Sequence, residues 1–81
     1  MKEDFTRMCN VWLMNMTAKY NAPLQSREFI YKRAILVAKM RNEFMAGIDC
    51  FTKAEPIFKR LCETANGDTV ELSEDDFYGR S

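Results

Sequence analysis

The spacing of its apolar side chains constrains this chain most. They recur at three and four residues in three stretches, separated by proline- and glycine-bearing breaks. That period is the signature of amphipathic helices, because side chains three and four apart share one helical face. In the first stretch, Phe5, Cys9, Trp12, Leu13, Met16 and Tyr20 fall on one side, predicting a helix over 2–20. Asn21-Ala22-Pro23 ends it, since proline cannot continue the hydrogen-bond ladder. Ser26 suits the N-cap of a second helix, with Glu28 favourable in its first turn and Gly47 a natural stop. Thr52-Lys53-Ala54-Glu55 matches a capping box and predicts the start of a third helix, with Pro56 in its first turn. Ala54, Ile57, Phe58, Leu61, Cys62 and Ala65 form its apolar face, Glu55, Lys59 and Glu63 a ladder on its wet side, and Asn66-Gly67 its end.

The expected fold is therefore all-α: a small three-helix bundle over 1–66, followed by 67–81 as an acidic tail or a short accessory element. With 81 residues there is room for one domain. The tail is expected to be a mobile segment or a short fourth turn, built around Ser73-Glu74-Asp75-Asp76 and Phe77-Tyr78.

The second helix has the widest apolar arc. Phe29, Ile30, Ala34, Leu36, Val37, Met40, Phe44, Met45 and Ile48 spread over more than half the circumference, leaving Glu28, Lys32, Lys39 and Glu43 a narrow strip. An ordinary surface helix shows an arc little more than about 100° wide. The excess predicts packing on two sides, with this helix as the long central element. Two cations interrupt the arc, Arg33 and Arg41, about 80° apart on one broad face. Arginine in such a place either snorkels to water or meets a carboxylate or phosphate on a partner. The first helix also carries apolar residues on its far side, at Val11, Met14 and Ala18. A second seam of that kind predicts a subunit contact, where Met adapts to irregular surfaces.

Composition supports the same reading. Hydrophobic residues make up 47% of the chain, including six Met, six Phe, three Tyr and one Trp, a heavy apolar load for a domain of this size. Some of that load is expected to be covered by a second copy or a partner. The net charge is zero, with eleven Lys or Arg against seven Asp or Glu over 1–66 and an acidic excess after it. A dedicated nucleic-acid binder is usually far more basic.

Enzyme chemistry is not expected. The chain has no histidine, the usual near-neutral acid and base. Its three glycines form no phosphate-cradling motif, and Cys9, Cys50 and Cys62 have neither the spacing of a zinc site nor a histidine to activate them. No catalytic residue, metal ligand or cofactor is assigned. An odd number of cysteines argues against a disulfide framework, and with Glu3 and Asp4 in place of a leader's basic and apolar regions it predicts a cytoplasmic protein. The apolar run Ile35–Ala38, five residues long with Ala34 before it, is far too short to predict a membrane span. A helix-turn-helix around Gly47 fails where small and helix-compatible residues are needed, at Glu43 and Pro56.

The leading expectation is thus a non-enzymatic helical protein that binds another protein as an adaptor or inhibitor, as a homodimer. Short chains of this kind are commonly regulatory accessories, as in phages. The partner-binding residues would be Arg33, Arg41, Val11, Met14 and Ala18. The alternative is a nucleic-acid-binding regulator using Lys19, Arg27, Lys32, Arg33, Lys39 and Arg41.

Overall fold

A computed structural model of the chain describes residues 2–66. They form α1 (Lys2–Tyr20), α2 (Arg27–Met45) and α3 (Cys50–Ala65), a small all-α bundle. The expectations for 67–81 lie outside the described residues.

The helix ends at the two junctions have local causes. Asn21 takes φ 51°, a left-handed conformation that Asn tolerates better than most residues. The Ala22 N–H then reaches back to the Thr17 carbonyl at 3.1 Å, closing the last turn of α1. The proline break follows one step later, so it is Asn21 that turns the chain. Ser26 caps α2, its side chain accepting from the Phe29 N–H. At the other end Gly47 adopts φ 79°, and the Ile48 N–H donates to the Glu43 carbonyl at 2.9 Å. A residue other than glycine would be strained at Gly47.

The start of α3 differs from the capping-box expectation. The cap is Asp49, whose carboxylate accepts from the Thr52 N–H, and the helix begins at Cys50. Aspartate is a stronger N-cap than threonine and lies three residues earlier. Pro56 therefore sits inside the helix, where it gives the Thr52 carbonyl no N–H.

The core is built from Phe5, Cys9 and Met16 of α1, Phe29, Leu36 and Met40 of α2, and Cys50, Ala54, Phe58, Leu61 and Cys62 of α3. Phe58 is its centre. The rings of Trp12 and Phe29 meet it edge-on at 5.5 and 5.7 Å, and Tyr20 lies 6.5 Å away. Such tilted pairs suit the aromatic quadrupole.

The hub of the bundle is α3, not α2. α3 packs on both other helices, while α1 and α2 meet each other least. α2 is also no longer than α1. The wide apolar arc of α2 is accordingly covered by α1 only in part, as where Phe44 lies 5.3 Å from the Phe5 ring, and Ala34, Met45 and Ile48 remain exposed. The polar strip is displaced as well. Lys39 and Glu43 are largely covered, with side chains only 16% and 13% exposed. Lys53 of α3 reaches Glu43 at 3.0 Å, so the strip lines the α2–α3 boundary. Long stems over the core edge and heads paired with each other let charges occupy that position.

A candidate docking face on the outer side of α1

Helical geometry sends α1 in two directions. With about 100° per residue, Phe5, Cys9 and Met16 face inward, while Val11, Met14 and Ala18 face the opposite side. Val11 is 55% exposed and Met14 73%, with Met8 beside them at 46%. Single exposed apolar residues are ordinary, but a row of them at helical spacing is a contiguous patch. Arg7 and Asp4 extend the row toward the N-terminus and bridge each other at 3.0 Å.

A groove lies on each flank of this ridge. Toward α3, Arg7, Met8, Val11 and Phe51 line an almost wholly apolar one. Toward α2, Glu3, Thr6, Arg7, Asn10, Val11 and Arg41 line a wider one with charge at its edges. The structure thus brings Val11 and Arg41 into one groove, with Met14 and Ala18 continuing the Val11 row. Arg33 stands apart. It is half-buried and close enough to Cys9 for its charge to act on that thiol, which burial pushes up, Cys50 pushes further up and Arg33 pulls back.

The six cations of the nucleic-acid alternative do not share a face. Lys19 bridges Glu55 at 2.6 Å, Lys32 bridges Glu28 at 2.8 Å, and Lys39 lies 3.8 Å from Glu43. Arg27 and Arg41 are exposed on another side of α2. That side, with Tyr31, Ala34, Ala38 and Met45, is the outward face of the helix, and the sequence pattern had concealed it behind the charged strip.

Its spacing puts Glu55 on the wet side of α3 with Lys59. It turns toward α1 instead, accepting hydrogen bonds from Lys19 Nζ at 2.6 Å and from the Tyr20 hydroxyl at 2.5 Å. Those two donors hold its carboxyl below the usual carboxylate range. The contact fixes the C-terminal end of α1 on α3, and so the direction in which the outer ridge points.

The three cysteines are buried and unlinked. Burial pushes Cys62 up to about 11, with Glu63 adding to the shift, so it stays a thiol near neutral pH. Among the described residues, no group of three or more Cys, Asp or Glu is placed to hold a metal ion. None of the described helices is long and apolar enough to cross a membrane. Compared with protein-family models, with curated proteins and with solved structures, the chain matches none.

Proposed function

We propose that this chain is a small non-enzymatic helical protein of the cytoplasm that acts by docking on another protein, as an adaptor or inhibitor, and works as a homodimer. One observation carries the reading: α1 holds Val11 and Met14 in water on the side opposite the core, although the fold needs neither. Apolar rows of that kind are characteristic of contact surfaces. The adjoining Arg41 offers a carboxylate on the partner a charge-assisted hydrogen bond at the edge of the groove.

The reading is tested by capture from lysate of the native cells on immobilised wild type, Met14→Asp and Arg41→Glu. The expected result is a protein retained by the wild type and lost, or much reduced, with both variants. A retained set indifferent to both would overturn this surface. The nucleic-acid alternative is tested beside it by titrating generic duplex DNA and RNA against salt. Binding by phosphate contacts would fall steeply as salt rises, whereas no binding at low salt removes that alternative.

A further inference from the structure

We infer that the outer ridge of α1 docks on the same ridge of a second copy in antiparallel orientation, with Val11 of each chain against Met14 of the other and Arg7 against Ala18. This deepens the homodimer part of the reading above and rests on it.

The spacing comes first. Asp4, Arg7, Val11, Met14 and Ala18 follow one another at three, four, three and four residues. That alternation is the seam of a two-helix coiled contact, where each side chain inserts between those of the facing helix. It runs the length of α1, about 28 Å at 1.5 Å per residue.

Charge then selects the orientation and the occupant. A parallel pair would place Arg7 on Arg7 and Asp4 on Asp4, and like charges directly opposed are unfavourable. The antiparallel pair places the Arg7 stem over the small Ala18, where it can lie flat with its guanidinium in water. The two copies of Val11 and Met14 then form one apolar cluster at the two-fold axis. The polar residues fall at its ends, giving the apolar centre and polar rim of ordinary interfaces. On one flank Met8 comes to lie against Asn15, on the other Asn10 against Thr17, so no like charges oppose each other there. The apolar groove of Arg7, Met8, Val11 and Phe51 opens beside Val11, at the level where Met14 of the second copy arrives. An unbranched thioether side chain suits such a slot. The ridge is thus complementary to itself under a two-fold rotation, as a closed dimer requires. In the same arrangement the two Arg41 grooves lie on one side of the seam, their Arg7, Asn10 and Val11 walls covered by the second copy and their Thr6 and Arg41 walls outside the contact.

Sedimentation equilibrium on wild type, Ala18→Glu and Ala18→Arg, over roughly 1 µM to 1 mM, tests this. Ala18 is exposed, so both variants should fold, and a helical circular-dichroism spectrum with a melt checks that. The wild type should dimerise within that range. Ala18→Glu sets a carboxylate beside Arg7 of the second copy, twice per dimer, and should tighten association by about threefold or more. Ala18→Arg sets a cation there and should weaken it by about tenfold or more. Loss of association with both variants would overturn the antiparallel register, since that is what Ala18 against Ala18 would give. No change with either, or a wild type that stays monomeric at the top of the range, would overturn self-docking through this ridge. Were the wild type monomeric while capture of another protein still depended on Met14, self-docking would fall and the docking function would stand.

Discussion

α3 and α1 use their apolar side chains in opposite ways. On α3 they gather on one side: Ala54, Phe58, Leu61 and Cys62 are buried, and its exposed positions are Thr52, Lys53, Pro56, Lys59 and, at the very end, the small Ala65, which the spacing puts on the inner face. On α1 they lie on both sides, with Phe5, Cys9 and Met16 inside and Met8, Val11 and Met14 outside. Both helices satisfy the same core, so the outer residues of α1 are not there to fold the chain. The difference separates residues that hold the bundle together from residues available for contact. It also implies that substitutions on the two sides of α1 should have effects of very different size.

The largest effect should come from the hub. Phe58 is fully buried and meets Trp12, Tyr20 and Phe29. Phe58→Ala should cost about 3–5 kcal/mol, read by chemical denaturation, and a domain this small should be largely unfolded by it. A variant that stayed cooperative with a loss below about 1 kcal/mol would mean that α3 is not the centre of packing.

Trp12→Ala comes next. Trp12 is half-buried on the inner side of α1, with its ring 5.9 Å from that of Phe51 and 5.5 Å from that of Phe58. The expected cost is about 3 kcal/mol, toward the low end for a large aromatic because the ring is not wholly enclosed. Native stability after the truncation would dissolve the distinction between the two sides of α1.

Pro56→Ala should act in the opposite direction. Pro56 is exposed and lies within α3, where proline is disfavoured by roughly 3 kcal/mol relative to alanine. Restoring the N–H to the Thr52 carbonyl should raise stability by about 1–2 kcal/mol, since the surrounding helix already accommodates part of the strain. An unchanged or lower melting point would place the true start of α3 after Asp49, nearer the capping box.

A smaller effect follows from Glu55. Its carboxyl is held below the ordinary value of 4.5 by hydrogen bonds from Lys19 and Tyr20, so the folded state prefers the ionised form. That contribution is complete above the ordinary value and disappears as pH falls through the lowered one. Glu55→Gln should therefore flatten the acid side of the stability profile below about pH 4.5 and leave its shape near neutrality unchanged. Superimposable melting-temperature profiles for wild type and variant would show that this link between α1 and α3 is not made in solution.

Much of this organisation was legible in the chain itself. The bounds of α1, its inward face, the Ser26 cap and the Gly47 stop follow from periodicity and end chemistry, which are local properties. What was not legible depends on the third dimension. The charged strip of α2 reads as its solvent face, yet it lies against α3, because Lys53 neutralises Glu43 from a different helix. The outward face of α2, with Tyr31, Ala34 and Ala38, was hidden for the same reason. The role of α3 as hub could not be read from apolar counts, because the wide arc on α2 suggested a second covering that α1 provides only in part. The meeting of Val11 with Arg41 in one groove could not be inferred either, since nothing in their separation along the chain fixes how α1 crosses α2. An acid three residues before Thr52 was a visible signal for the earlier start of α3, and the capping-box pattern masked it.

The outer ridge should show the smallest effect on folding and the clearest effect on association. In Val11→Asp/Met14→Asp both substitutions fall on exposed positions, so the change in folding stability should stay within about 0.5 kcal/mol per site. Solution mass by sedimentation, measured with a thermal melt on the same samples, tests the central claim most directly. The account predicts a dimeric wild type and a monomeric double variant, both with cooperative melts, the wild type melting higher with rising concentration because association adds to its stability. A wild type that is already monomeric at millimolar concentration, or a double variant that keeps the wild-type mass, would contradict it.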